Sequence, residues 1–293
     1  MGHTVGVVIA IENAADERVA EYASLHRGSE EPSNAGAGPR VPGSFVAEGE
    51  LIARLAIGSR FAVRSLLMST AKVVAMGDVI ASLPSGTPVY VAEPKLMSEI
   101  VGFKFHRGAL VCCERGAGRG VSEAIRGATS VAVLEQVSNF DNVGGIFRSV
   151  SALGGDRPAV LLSPGCCDPL YRKCLRVSMG HVLRVPFAEV GLEQWPSVIG
   201  MLAREGFSVI GLSTGLRSLK LETLAPERTR RPALVLGTEG DGLTEAALAE
   251  IDRCGVRARI AMRAGVDSLN VNVAAAIALY GFGLVAEAAQ GPD

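Results

Sequence analysis

The sequence predicts an α/β protein in two parts. A smaller α/β domain covers residues 1–113, a linker 114–127, and a parallel-sheet domain 128–293. Three observations carry this. A chain of 293 residues has room for about two domains. From Val131 onward, apolar β-branched runs alternate with helical patterns, which implies a parallel sheet with helices on both faces. Glu114 to Gly127 is rich in Gly, Arg and Glu and has no apolar period, as a linker would be.

The elements follow in order. Residues 4–11 are β-branched and apolar and predict a short strand. Asp16 to Leu25 predicts a short helix with Val19, Tyr22 and Ala23 on one face. Gly28 to Gly43 is rich in Pro and Gly and predicts a loop. Helices are expected at Glu50–Ile57, Ala71–Leu83 and Pro94–Val101, and strands at Phe61–Leu67, Pro88–Val91 and Leu110–Cys113.

In the second part, strands are expected at Val131–Glu135, Ala159–Leu162, Val182–Val185, Phe207–Leu212, Pro232–Leu236 and Gly255–Ile260. Helices are expected at Asp141–Leu153, Leu170–Val177, Gly191–Arg204, Glu245–Ile251 and Leu269–Glu287. The last of these is apolar on nearly every face. One domain face cannot bury it, so a second copy of the chain is expected to cover it.

Charge is balanced, with 29 basic and 30 acidic residues, so there is no global footprint of a nucleic-acid binder. The distribution is uneven. Residues 1–50 carry 3 basic and 8 acidic side chains, whereas residues 100–185 carry 11 and 6. The positive stretch is a local footprint. The six cysteines form no CxxC and no Cys/His zinc spacing, so no metal is expected. Reduced thiols in a cytoplasmic protein are expected. No basic-then-apolar leader is visible at the N-terminus. The uncharged run from Ser268 to Ala286 holds Asn, Gly and many Ala, so it reads as a buried or interface helix rather than a membrane span.

Three segments combine Gly and polar groups with apolar runs: Asn139-Phe-Asp-Asn-Val-Gly-Gly-Ile-Phe-Arg148, Leu234-Val-Leu-Gly-Thr-Glu-Gly-Asp-Gly-Leu243, and the run from Ile260 to Tyr280. In this order they resemble the three motifs of the SpoU (TrmH-like) RNA ribose methyltransferases of the knotted SPOUT superfamily. Asn142, Gly144 and Arg148 match the first motif. Gly237, Glu239 and Gly242 match the second, and Ser268, Asn270 and Val273 the third. The resemblance covers roughly Val131 to Ala286. A looser one, opening at Phe45-Val-Ala-Glu48-Gly49, likens the first part to a ribosomal-protein-like RNA-binding module.

The resemblance implies a deep trefoil knot in the C-terminal domain, which periodicity does not show. It also implies S-adenosylmethionine as cofactor, ribosomal or transfer RNA as substrate, and a homodimer. The cofactor is expected at strand-end loops, on Leu212, Ser213, Thr214, Leu236, Gly237, Glu239, Gly240, Ile260, Met262, Leu269 and Asn270. Arg148, Asn142, Glu239, Ser268 and Asn270 are the expected catalytic group. A ribose 2′-hydroxyl is a poor nucleophile until its proton is partly withdrawn. Arg is effectively always protonated, so Arg148 is expected to act by electrostatic activation rather than as a base. Its neighbours Ile146, Phe147 and Val150 predict a partly buried position for it. Asn142, Ser268 and Asn270 also fit plain helix capping.

Two other functions within reach of this reading are an RNA base methylase and a non-catalytic RNA-binding protein. The polar residues kept in all three segments argue against both. Gly211-Leu-Ser-Thr-Gly215 fits a nucleophile elbow, but all four histidines precede Ser213, against the hydrolase order.

Overall fold

The structure, a computed structural model, describes residues 6–23, 25, 43–215, 217–238 and 240–290. It divides into two compact units. The first holds the described residues up to Ala117 together with Asp168–Arg184. The second holds Gly118–Cys167 and the chain from Val185 onward.

The first unit opens with β1 (Val7–Ala10) and α1 (Ala20–Ala23). It continues with β2 (Ser44–Glu48), α2 (Glu50–Ile57), β3 (Val63–Ser69), α3 (Thr70–Ala75), α4 (Gly77–Ala81), β4 (Pro88–Ala92), α5 (Pro94–Val101) and β5 (Ala109–Glu114). The five strands lie in the order β1-β4-β3-β5-β2. β1 and β3 flank β4 in parallel, whereas β5 runs antiparallel to β3 and β2. Ile11, Val19, Tyr22, Leu67, Met97 and Leu110 belong to one core. The Tyr22 hydroxyl, fully buried, lies 2.7 Å from Ser65 Oγ, which satisfies its polar end.

The expected helix over Ala71–Leu83 is two short helices. Met76 leaves the helical region at φ −114° and ψ 24°, and Gly77 starts the next turn. β2 is absent from the expected elements because all five of its residues are buried, so it shows no apolar–polar alternation. The expected loop over Gly28–Gly43 lies outside the described residues except at Gly43, as do residues 4 and 5 of the first expected strand.

The second unit begins with α6 (Val121–Ala124), a single turn inside the expected linker. Ala124 and Ile125 are buried in the core with Val131, Val209 and Val235. Val121, one turn earlier, packs against the same core, but so few apolar residues are too short a signal to read as periodicity. β6 (Ser130–Leu134), α7 (Phe140–Leu153) and β7 (Pro158–Leu162) follow. Next come α8 (Arg172–Val177) and a 3-10 turn at His181–Leu183, both in the first unit. The second unit resumes with β8 (Phe187–Glu189), α9 (Val198–Arg204), β9 (Ser208–Leu212), β10 (Leu219–Lys220), β11 (Pro232–Leu236), α10 (Glu245–Cys254), β12 (Gly255–Arg259) and α11 (Val271–Gln290). Its seven strands are all parallel, in the order β10-β12-β9-β11-β6-β7-β8.

Two expectations shift. The strand expected at Val182–Val185 is instead the 3-10 turn. Gly180, at φ +82°, turns the chain, and the ladder starts only after Pro186, whose carbonyl accepts from the Val160 N–H at 2.9 Å. Val182, Leu183 and Val185 are buried all the same, which explains the strand-like pattern. The helix expected over Gly191–Arg204 is a 3-10 turn at Leu192–Gln194 followed by α9. Pro196 forces Trp195 into an extended conformation and removes a donor.

α11 packs along α7. They approach closely at Gly145, where a Cβ would fall 2.3 Å from Asn272 Nδ2. Among the described residues, no helix is long and apolar enough to cross a membrane.

Candidate active site

β12, β9 and β11 are neighbours in one parallel sheet, so their C-terminal ends open on the same edge. Ligands bind beyond such ends in open α/β sheets. A cavity of about 420 Å³ lies there, large enough for a nucleoside-sized ligand. Leu212, Ser213, Thr214, Leu236, Gly237, Gly240, Ile260, Met262 and Leu269, all expected at the cofactor, lie in its wall together with Ser268. Asn270 is not in the wall, and Glu239 lies outside the described residues.

Backbone contacts hold the loops of this wall in shape. Thr238 N–H donates to the Gly242 carbonyl at 3.1 Å, folding the loop after β11 back on itself. A Cβ on Gly237 would fall 2.2 Å from the Gly242 carbonyl carbon and 2.4 Å from the Leu243 nitrogen. Gly242 itself sits at φ +72°. Both positions demand glycine. Ser213 N–H donates to the Ala258 carbonyl at 2.9 Å, tying the loop after β9 to β12. The charged wall residues are Asp241, Glu245, Asp267 and Arg259. The Arg259 Nε donates to the Ser218 carbonyl at 3.3 Å.

One residue that sequence reasoning did not single out holds this loop. Glu135, fully buried just beyond β6, accepts from the Thr244 N–H at 2.9 Å, the Thr244 hydroxyl at 2.6 Å and the Trp195 indole N–H at 3.1 Å. Thr244 is also the N-cap of α10, its Oγ accepting from Ala247 N–H. A carboxylate in the core without such donors would be costly. The signal in the sequence was a lone Glu ending an apolar strand.

The first and third motifs meet through asparagines. Asn139 caps α7, and Asn142, in its first turn, is buried. The Asn270 Nδ2 donates to Asn142 Oδ1 at 2.9 Å, while Asn270 Oδ1 accepts from the N–H groups of Asn272 and Val273 at the start of α11. Asn270 therefore caps a helix and bridges two motifs. Asn272, in turn, accepts from Ser149 Oγ at 3.2 Å.

Arg148 differs from expectation. It is exposed rather than partly buried, lies outside the cavity wall, and makes no hydrogen bond or ion pair with a described residue. Ile146, Phe147 and Val150 are buried, but Arg148 occupies the opposite side of α7. Adjacent apolar residues on a helix do not share its neighbour's direction.

A family model described as the SpoU rRNA Methylase family matches residues 129–280. An uncharacterized tRNA/rRNA methyltransferase of Mycobacterium bovis is 40% identical over 236 residues, 80% of this chain and 79% of that protein. The 23S rRNA (guanosine(2553)-2′-O)-methyltransferase RlmP of Bacillus subtilis is 26% identical, covering 92% of this chain and 97% of its own. Among solved structures, the SpoU methyltransferase AviRb of Streptomyces viridochromogenes in complex with AdoMet superposes with a TM-score of 0.73. It has 18% identity, covering 94% of this chain and 100% of that one. An AdoMet-bound rRNA methyltransferase of Sinorhizobium meliloti superposes at 0.72 with 22% identity, covering 94% and 97%. At these identities the two structures speak for the fold.

Proposed function

Because the chain belongs to the SpoU rRNA methylase family, we propose that it is an S-adenosylmethionine-dependent RNA 2′-O-methyltransferase acting on ribosomal or transfer RNA. The observation that carries this reading is the cavity. Residues of the second and third motifs line it, and Asn270, at the start of the third, is bonded to Asn142 of the first.

S-adenosylmethionine would supply an electrophilic methyl group. The chain's residues fit it: Leu212, Leu236, Ile260 and Leu269 offer apolar surface for a purine, and Gly237 lets backbone approach closely. Loop amides and carbonyls supply directional hydrogen bonds without mobile side chains. Ser268 stands in the wall, and Asn142 with Asn270 fixes the start of α11 beside it. Arg148 holds negative charge, either a backbone phosphate or the developing alkoxide of the ribose 2′-oxygen.

Arg148 lies outside the cavity wall of its own chain, and α11 leaves an apolar stripe open. Val273, Ile277 and Tyr280 are 46%, 40% and 58% exposed at i, i+4 and i+7. A second copy covering this stripe is the arrangement we infer. We infer also that the C-terminal domain carries the family's trefoil knot, and that the first unit contacts RNA.

The test is methylation of deproteinised rRNA and bulk tRNA with labelled cofactor, followed by alkaline hydrolysis. A 2′-O-methyl group blocks cleavage at its own linkage. Label in an alkali-sensitive nucleotide would assign a base methylase instead, and no label with intact cofactor binding would assign a non-catalytic protein. Sedimentation at micromolar concentration reads the dimer; a monomer removes the second-copy arrangement.

A further inference from the structure

Two stretches of the first unit carry no Asp or Glu. Residues 100–113 hold Lys104, His106 and Arg107. Residues 169–184 hold Arg172, Lys173, Arg176, His181 and Arg184. They meet at one carboxylate. Glu48, the last residue of β2, has a side chain only 6% exposed. Its Oε1 lies 3.4 Å from Arg107 Nε and its Oε2 lies 3.5 Å from Arg172 Nη1. The Arg172 guanidinium also stacks over the Phe103 ring at 4.6 Å. Beside them, Gly49 stands at φ +100°, where a Cβ would come within 3.6 Å of Arg107 Cδ and Nη1.

One cation suffices to balance a buried carboxylate. Glu48 has two, so the cluster keeps a positive excess. The excess is held in place: Arg172 is fixed by the carboxylate and the ring, while Arg107 is anchored through Nε and its side chain remains 49% exposed. Guanidinium groups ordered in advance lose little freedom when they bind, and their planar forks match phosphate oxygens. Lys104 and His106, both exposed, stand on the same loop as Arg107.

We propose that Arg107 and Arg172, held by Glu48, form a docking site for the phosphate backbone of the RNA substrate. Glu48 is the positioning residue. The proposal rests on the reading that the first unit contacts RNA, and it names where.

The experiment measures binding of deproteinised 23S rRNA and of bulk tRNA across a KCl series, for the full chain and for Arg107→Ala, Arg107→Lys and Arg107→Ala/Arg172→Lys. Each phosphate contact contributes about one unit to the slope of log affinity against log salt. Arg107→Ala is expected to lower that slope by about one. Its affinity then falls about fourfold less between roughly 50 and 200 mM salt than that of the parent. Arg107→Lys should keep the slope, because the charge remains. The double variant should bind more weakly than either single variant, because Lys cannot reproduce the fork of Arg172. Cofactor affinity should not change in any of them. An unchanged slope in Arg107→Ala, with only the melting temperature lowered, would make the cluster a structural ion group and overturn the proposal while leaving the RNA reading intact. Failure of the parent chain to bind either RNA would overturn both.

Discussion

At the C-terminal edge of the seven-stranded sheet, tight turns shape the cavity wall. Gly237 lies against Gly242, Thr238 bonds the Gly242 carbonyl, and Ser213 bonds the Ala258 carbonyl. In the five-stranded unit the concentrated chemistry is side-chain charge, with Arg107 and Arg172 gathered on the buried Glu48. The first arrangement fixes the shape of the loops around the cavity, which suits a small ligand of defined shape. The second offers forked cations, which suits a repeating anion. The contrast matters for mutation. A backbone wall is damaged by adding atoms, and a charged cluster by removing them.

The sharpest test separates chemistry from binding within the second unit. Arg148 is a side chain outside the cavity wall. Arg148→Ala is expected to slow single-turnover methylation by about 10²–10³-fold, the usual cost of one charge-stabilising donor. Cofactor affinity by calorimetry should stay close to that of the parent. Near-normal turnover would remove Arg148 from the reaction. Next, Gly237→Ala adds one methyl group against the backbone of Gly242 and Leu243. Overpacking of that kind costs about 1–3 kcal/mol, so cofactor affinity should fall by roughly ten- to a hundredfold. Unchanged affinity would show that the loop yields, and the contrast between the two units would fail.

Asn270 lies between these cases, since it acts through both its side-chain atoms. Asn270→Ala should lower stability by about 1 kcal/mol through loss of the α11 cap, and should weaken cofactor binding several-fold. Asn270→Asp keeps the capping oxygen but loses the donor to Asn142 Oδ1. If calorimetry finds cofactor affinity weakened in the alanine variant and normal in the aspartate one, capping is the whole role. The smallest effect concerns the thiols. Burial pushes Cys113 in the first unit and Cys166 in the second up to about 12, and raises Cys254 less. Mass spectrometry after brief alkylation near pH 8 should find the native protein labelled first at Cys254, with Cys113 and Cys166 reacting only after unfolding.

The cavity was legible in the sequence because glycine turns at strand ends have strict positional needs. Gly237 and Gly240, together with Leu212, Leu236 and Ile260, were placed by the expected strand ends together with the resemblance to the SpoU motifs. Glu135 was missed because its partners, Trp195 and Thr244, lie 60 and 109 residues away and carry no local pattern. The Glu48 cluster was invisible for the same reason: Glu48 and Arg172 are separated by 124 residues. Arg148 was misplaced because buried neighbours on a helix say little about the residue between them. The strand expected at Val182–Val185 shows a further limit. Burial follows apolar composition, whereas the ladder follows the donors that Gly180 and Pro186 leave available.

The first unit is discontinuous in the chain: α8 and the turn at His181–Leu183 belong to it, yet they are encoded between strands of the second. Within it, Asp168, 2% exposed, is paired with Arg115, and Cys174 and Leu175 are buried. A graft of residues 1–120 onto another catalytic domain would therefore leave Arg115 without its acid and Glu48 without one of its arginines. Recombination at the apparent linker exchanges a gene fragment, not a finished module. A working chimera has to carry two pieces of chain, the second of them inserted inside the recipient's own catalytic domain.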